Sequence, residues 1–192
     1  VLNITGDGYD KIDKLGSVVV DLGNNYATTE SEITNMATRL ASAGKVAGFT
    51  TQEIFAISAA MSSVGIQAEA GGTAMAQTFK GIQAAVSNFS KEGATKKEKE
   101  NLESLAKVAG MTADEFANAW KSKPMDALQS FIKGLSDLKD TGGDTFAVLD
   151  ELGMSGIRQS NMLQSLALAS GMMGDATETA NKAWRENSAL TD

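Results

Sequence analysis

Apolar residues recur every three or four positions along most of the chain, and this spacing predicts a series of amphipathic helices. The clearest stripe runs from Met75 through Phe79, Ile82 and Val86 to Phe89, at intervals of four, three, four and three residues. It has the spacing of a coiled-coil seam but is too short for a coiled coil, so a core-facing helix stripe is the favoured interpretation. Because no segment alternates convincingly between apolar and polar residues, we expect an all-α fold.

One nine-residue pattern occurs twice, at residues 45–53 and again at residues 107–115, and six of its nine positions are identical. Each copy contains a glycine that can end a helix in the left-handed conformation and a threonine that can cap the next helix. A glutamate three residues after each threonine completes a capping box, and an apolar pair can close a hydrophobic staple. The residues in these roles are Gly48, Phe49, Thr50, Glu53 and Ile54 in the first copy and Gly110, Met111, Thr112, Glu115 and Phe116 in the second. The pattern therefore predicts the same helix-to-helix corner twice.

Helical spacing continues on both sides of these corners and is interrupted by glycine-rich or polar stretches. Thr29 and Glu32 form another capping-box pattern, and Pro124 fits the first position of a helix, where its missing N–H is not needed. We expect breaks at residues 6–8, 23–25, 44–48, 71–72 and 141–144, and a weaker third corner at 153–155 that lacks the acidic residue. The predicted helical segments are residues 9–22, 29–43, 51–64, 75–89, 102–108, 116–120, 125–138, 146–152, 157–169 and 176–190.

The polar connection at residues 92–97 is the best candidate for a domain boundary. It would divide the chain into an N-terminal helical half, residues 1–92, and a C-terminal helical half, residues 93–192; one continuous domain is the alternative. In either case we expect a compact multi-helix bundle of short helices joined by Gly-terminated, Thr-capped corners. Because the chain begins at Val1 without a methionine and ends directly after a helical pattern, we expect an excised piece of a longer protein.

Composition narrows the possible functions. The formal net charge of −7 argues against a nucleic-acid-binding surface, and the lysines at residues 96–100 alternate with glutamates that cancel most of their field. The chain has neither cysteine nor histidine, which excludes disulfides, thiolate zinc sites and catalysis that depends on either residue. No apolar run approaches the ~18 residues of a membrane span, and we expect no secretory signal peptide.

Acidic pairs are the remaining candidates for catalysis, because a glycosidase needs only two carboxylates. The candidates are Glu30/Glu32, Asp114/Glu115 and Asp150/Glu151. Adjacent acids on a helix diverge, however, and Glu32 and Glu115, like Glu53 outside these pairs, already have predicted capping roles. The stretch at residues 71–73 lacks the lysine of a phosphate-binding loop, and residues 7–10 lack the remaining ligands of a calcium loop. We therefore expect no catalytic, cofactor-binding or metal-binding residues and no cofactor.

A domain without catalytic groups and rich in apolar stripes can act by packing against copies of itself or against other chains. The simpler interpretation, which we favour from the sequence, is that all of these stripes face the internal core.

Several short stretches occur in a characteristic order over residues 15–170, namely 22–32, 36–40, 46–53, 59–74, 109–116, Trp120, 124–128, Phe131 and 149–158. In this order they resemble the core region of the phage tail tape measure proteins, including prophage copies in bacterial genomes. The resemblance implies a non-enzymatic virion structural protein of the tail, assembled in the host cytoplasm, that takes part in tail assembly and tail-length determination. The implied partners are further copies of the protein, tail-tube subunits, tail chaperones and tail-tip or baseplate proteins.

The length-setting role raises the question of shape. A single helix of this length would span roughly 290 Å, whereas a compact chain would have a radius of gyration near ~16 Å. The repeated helix stops favour the compact form, with any ruler helices elsewhere in the parent chain. Two other functions stay open at this point, a carboxylate-dependent lytic accessory module and an independent bacterial helical adaptor.

Overall fold

The computed structural model describes residues 1–187, which form helices joined by short connections, with no strand among them. The prediction of a compact all-α fold is confirmed. A 3-10 turn at Tyr9–Lys11 precedes the second helix. The α-helices are α1 (Leu2–Thr5), α2 (Ile12–Asn25), α3 (Glu30–Ala47), α4 (Thr51–Ser63), α5 (Ala68–Ser90), α6 (Lys96–Val108), α7 (Ala113–Ser122), α8 (Pro124–Asp140), α9 (Thr145–Glu151), α10 (Ile157–Leu168) and α11 (Met172–Glu186).

Helix α4 lies at the centre of the fold. It is apolar around nearly its whole circumference, and every residue from Ile54 to Met61 is buried. A helix of this composition is stable only when neighbours cover all of its sides, and α3, α11 and α2 pack around it. The one hydroxyl in this stretch, that of Ser58, donates to the carbonyl of Ile54 at 2.8 Å, so no unpaired polar group is added to the core.

Helices α3 and α5 lie side by side in the most extensive helix pairing of the fold. Gly72 makes this close approach possible, because a Cβ at that position would lie 2.7 Å from the Cβ of Arg39. The prediction of a break at residues 71–72 is therefore wrong: α5 begins at Ala68 and passes through both glycines. Likewise α3 continues to Ala47, and Gly44 faces Ile54 within it. Gly44 and Gly72 therefore serve tertiary packing rather than ending a helix.

The two predicted corners are confirmed in detail. Gly48 and Gly110 have φ angles of +94° and +73°, in the left-handed region. At the first corner the N–H of Phe49 donates to the carbonyl of Gly44 at 3.0 Å, and at the second the N–H of Met111 donates to that of Ala106 at 2.9 Å. These are the bonds of a Schellman motif. The same pairing also ends α4, α8 and α9, so the structure uses five such helix ends where the sequence indicated three.

The last two helices return to the N-terminal part of the chain. Helix α10 packs on α5 and α8, and α11 packs on α2 and α4. The buried apolar side chains from both sides of residue 92 form one connected cluster. The domain boundary at residues 92–93 stays a prediction. Because α11 packs on helices that precede this boundary, an unfolding experiment can test it.

Several local predictions differ from the structure. Helix α1 was not predicted, and α11 begins at Met172 rather than at residue 176; the predicted end of that helix, residue 190, lies outside the described residues. The weaker third corner is present and α10 begins at Ile157 as predicted, but its N-cap, Gly156, lies one residue further from the corner glycine than in the other two corners, and no side chain caps the helix. Tyr9, Ile12 and Phe146, predicted on apolar faces, are 69%, 56% and 53% exposed. The stripe in α5 does face the core, with four of its five residues buried.

Candidate functional site

The acidic pairs considered for catalysis are distributed among separate helix ends. Glu32 and Glu115 each accept a hydrogen bond from the backbone N–H of the threonine three residues earlier, at 3.0 Å. Their partners in the acidic pairs, Glu30 and Asp114, are exposed in the first turns of α3 and α7. The oxygens of these glutamates thus stabilise backbone donors that have no partner within the helix.

Four capping boxes occur in the structure, at Thr29, Thr50, Thr95 and Thr112. The box at Thr95 was not singled out from the sequence, although the spacing of Thr95 and Glu98 provides the signal. It lies inside the stretch assigned to a polar connection. The short lysine-rich run that follows is the exposed first part of α6, as its alternating charges indicated.

The glutamates of two capping boxes differ in their electrostatic surroundings. Burial raises the pKa of Glu53, opposed by the hydrogen bond from the Thr50 backbone and reinforced by the nearby negative charge of Asp126. Glu98 is half-buried by its accessible surface, and its hydrogen bond from Lys91 lowers its pKa to about 2. The carboxyl pKa of the same local motif is therefore shifted in opposite directions at two places in the fold.

Asp150 and Glu151 lie beside an open cleft between α6 and α9. Glu98, Glu100 and Lys97 line the same cleft, whose volume is about 490 Å³. Asp150 also accepts a hydrogen bond from the hydroxyl of Ser155 at 2.6 Å. Because the cleft is open, its acids are solvated, and it supplies neither the desolvation nor the aromatic wall that a glycosidase uses to separate the roles of two carboxylates.

The other sites considered from the sequence have structural roles. In the glycine turn before α2, the Asp7 carboxylate accepts hydrogen bonds from the hydroxyls of Thr5 and Thr51 and so ties the turn to the start of α4. Within residues 1–187 there is no group of three or more acidic side chains placed to hold a metal ion. None of the described helices combines the length and the apolar character needed to cross a membrane.

An aromatic cluster joins the first corner to the C-terminal half of the chain. The rings of Phe49 and Phe79 stack with their centroids 4.6 Å apart, and Trp120 approaches the Phe49 ring edge-on at 5.8 Å. The indole N–H of Trp120 donates to the side-chain carbonyl of Gln83 at 2.9 Å. The buried ring system and its satisfied polar atom fix the position of α7 against α5.

An open apolar groove lies directly beside this cluster, between α3 and α5, and has a volume of about 380 Å³. Its floor includes Phe79, and Val46 stands at its edge with 77% of its surface exposed. The remaining lining is mostly small side chains, from Ser42, Ala43, Ala47, Ala76, Ala84 and Ser87, together with Arg39, Lys80 and Gln83. The sequence placed Phe79 in a core-facing stripe and Val46 in a break between helices, and it did not indicate a groove.

A second unusual surface is helix α9, which has seven residues and packs only lightly on α8 and α10. Leu149 is its one fully buried side chain, whereas Phe146 projects outward. Asp144 caps the helix by accepting from the N–H of Ala147 at 3.0 Å. The helix therefore presents an exposed aromatic ring among acidic residues.

Comparison with known proteins gives one family match. A family model described as "Phage-related minor tail protein" matches residues 1–141, which extend from the start of the chain through α8. No curated protein matches the chain, and no solved structure matches it. The matched region contains both predicted corners, all four capping boxes and the α3–α5 groove, whereas α9, α10 and α11 follow it.

Proposed function

The chain belongs to the phage-related minor tail protein family, and from this membership we propose that it is a structural segment of a tail tape measure protein. The family match over residues 1–141 is the observation that carries the proposal. The order of helix corners along the sequence supports the narrower assignment, because it resembles the core region of the tape measure proteins. The segment then acts through protein–protein packing, as a component of the virion tail.

The arrangement of acidic side chains agrees with a non-enzymatic role. The glutamates of the helix corners are engaged by backbone N–H groups, and the acids of the α6–α9 cleft are solvated. The alternative of a carboxylate-dependent lytic module has a direct test. The isolated chain should produce no clearing on a cell-wall zymogram; clearing that disappears when Asp150 or Glu151 is replaced by the corresponding amide would contradict the structural assignment.

Tail assembly in the host cytoplasm is part of the proposal. The partners we expect are further copies of the protein, tail-tube subunits, tail chaperones and tail-tip or baseplate proteins. The many helix ends of this segment make it a compact module rather than a ruler, so its direct contribution to tail length should be small. Long helices elsewhere in the parent chain would supply most of the length.

The test is an in-frame deletion of residues 1–187 in a phage or prophage that encodes the sequence, followed by measurement of tail lengths by electron microscopy. A compact segment should shorten the tail by at most roughly 40 Å, about the diameter that corresponds to a radius of gyration near 16 Å. An extended helix would shorten it by about 280 Å. Deletion with tails of normal length, normal assembly and normal infectivity would overturn the proposal.

A further inference from the structure

Two exposed surfaces of the chain complement each other. We propose that the α3–α5 groove of one copy binds helix α9 of a second copy, with Phe146 inserted beside Val46. This proposal deepens the packing role proposed above and rests on it only for its biological setting, because the contact itself is a property of the isolated chain.

The electrostatics of the groove favour an acidic occupant. Arg39 and Lys80 lie among its lining residues, which include no carboxylate. Neither of these basic side chains forms an ion pair with any other residue of the described chain. The protein as a whole carries a formal net charge of −7. A locally basic, apolar groove on an acidic protein is therefore complementary to acidic parts of the same protein's surface.

Helix α9 has the matching chemistry. Phe146 supplies a large exposed aromatic ring, the kind of side chain that anchors protein interfaces. Residues 140–157 contain four carboxylates, those of Asp140, Asp144, Asp150 and Glu151, and no lysine or arginine. An aromatic anchor with acidic neighbours is what an apolar groove containing Arg39 and Lys80 would accept.

Three other exposed apolar side chains fit the groove less well. Ile157 is followed directly by Arg158, which would bring positive charge towards a basic groove, and Ile12 lies in a stretch, residues 10–14, whose two aspartates and two lysines leave no net negative charge. Leu168 has no charged residue near it in sequence and would leave the basic groove residues without partners. The choice of α9 therefore rests on its exposed aromatic ring and on charge.

The proposed contact joins two different surfaces, because the groove-lining residues and those of α9 share no member. Two copies can make this contact once, which leaves one groove and one α9 free for further copies, or twice about a two-fold axis, with the groove of each copy holding α9 of the other. Either form of association should weaken as salt screens the charges.

Sedimentation velocity on the purified chain tests this arrangement. The wild-type chain should form dimers, or dimers and larger species, below about 1 mM, whereas Phe146→Ala and Val46→Asp should each weaken association by at least about tenfold. Mixing the two variants should restore association. A one-to-one mixture combines the intact groove of Phe146→Ala with the intact α9 of Val46→Asp, so it should give a dimer that does not grow further.

Two matched variants control for the loss of an exposed apolar side chain. Leu168→Asp and Tyr9→Ala alter residues that are each 69% exposed and lie outside both surfaces, and they should associate as the wild type does. A monomeric wild-type chain, or a mixture that stays monomeric although each variant alone has lost association, would overturn the proposal. A groove that binds a tail-tube subunit while the chain remains monomeric would overturn it equally. These results leave the tail-length experiment unaffected, so failure of the contact is distinguishable from failure of the proposed function.

Discussion

At the scale of single residues, it is the left-handed backbone conformation that requires glycine at the helix corners. Gly110 has φ of +73°, and a Cβ placed there would meet no atom within 4 Å. Any cost of adding a side chain therefore comes from the left-handed conformation rather than from a steric clash with other parts of the fold. This makes Gly110 a simpler test of the corner than Gly48, whose Cβ position is 3.8 Å from Pro124.

Gly110→Ala should lower the free energy of unfolding by about 1 kcal/mol, because a non-glycine residue is disfavoured in the left-handed region. Urea denaturation followed by circular dichroism would measure the change. Gly110→Asn is the matched control and should lose less, since asparagine tolerates this conformation better. An alanine variant as stable as the wild type would show that the conformation of this corner does not limit stability.

The capping glutamates give a prediction about pH. Because the pKa of Glu53 is raised in the folded state, its contribution to stability is present below the ordinary value of 4.5 and is lost as pH rises through the folded value. Glu53→Gln keeps an oxygen that can accept from the Thr50 N–H and removes the buried charge. The variant should therefore become more stable relative to the wild type as pH rises from 4 to 7.

Glu98 should behave in the opposite way and serves as the comparison. Its pKa of about 2 means that its contribution to stability is present above 4.5 and is lost as pH falls towards 2. Glu98→Gln should be less stable than the wild type at neutral pH, with the difference shrinking on acidification. The measurement is the denaturant midpoint of each variant relative to the wild type, between about pH 2 and pH 7. Parallel pH profiles for the two variants would contradict the opposite directions of the two pKa shifts.

At the scale of helices, Gly134 sets the approach of α8 to α6. A Cβ at this position would lie 1.7 Å from the carbonyl oxygen of Val108, near the C-terminus of α6. The obstruction is backbone, which cannot move aside as the end of a flexible side chain can. Gly134→Ala should therefore destabilise the protein by about 3 kcal/mol, the upper range for overpacking.

Gly81 provides the matched control for this substitution. It also lies inside a helix, but its Cβ position is 4.0 Å from the nearest neighbour, the methyl carbon of Met154. Gly81→Ala should stabilise the protein by about 0.5 to 1 kcal/mol, because alanine favours the helix and restricts the unfolded chain. Thermal or urea unfolding of both variants would separate packing from propensity. Equal effects at the two positions would show that the α6–α8 approach is not constrained by Gly134.

These glycines also show what the sequence can and cannot predict about the elements. The corners were predictable because Gly110, Thr112 and Glu115 interact within a few residues of one another. The sequence predicted a break at Gly72 and no special role for Gly134, because the packing role of each depends on a helix that is distant in sequence. For the same reason the exposure of Val46 and Phe146 could not be predicted: apolar periodicity identifies a helix face but not whether another helix covers it.

At the scale of the whole molecule, the open question is whether the chain unfolds as one unit. Helix α11, from the C-terminal part, covers the central α4, and the ring of Trp120 packs with those of Phe49 and Phe79 across the proposed boundary at residue 92. Separation of the two halves would expose these surfaces together. The packing therefore favours one cooperative domain over two halves that fold independently.

Thermal unfolding can decide between these possibilities, because the two tryptophans report on different places. Trp120 is buried in the aromatic cluster, and Trp184 is half-buried on α11. The variants Trp184→Phe and Trp120→Phe each leave one fluorescent reporter, and both reporters should change at the same temperature as the far-ultraviolet circular dichroism of the same variant. Transitions at different temperatures within one variant, together with a folded fragment of residues 1–92, would instead establish the boundary. A single transition would show that all of the described helices, including those beyond the family match, unfold as one cooperative structure. We expect this result because α4 is fully buried only when α11 packs on it.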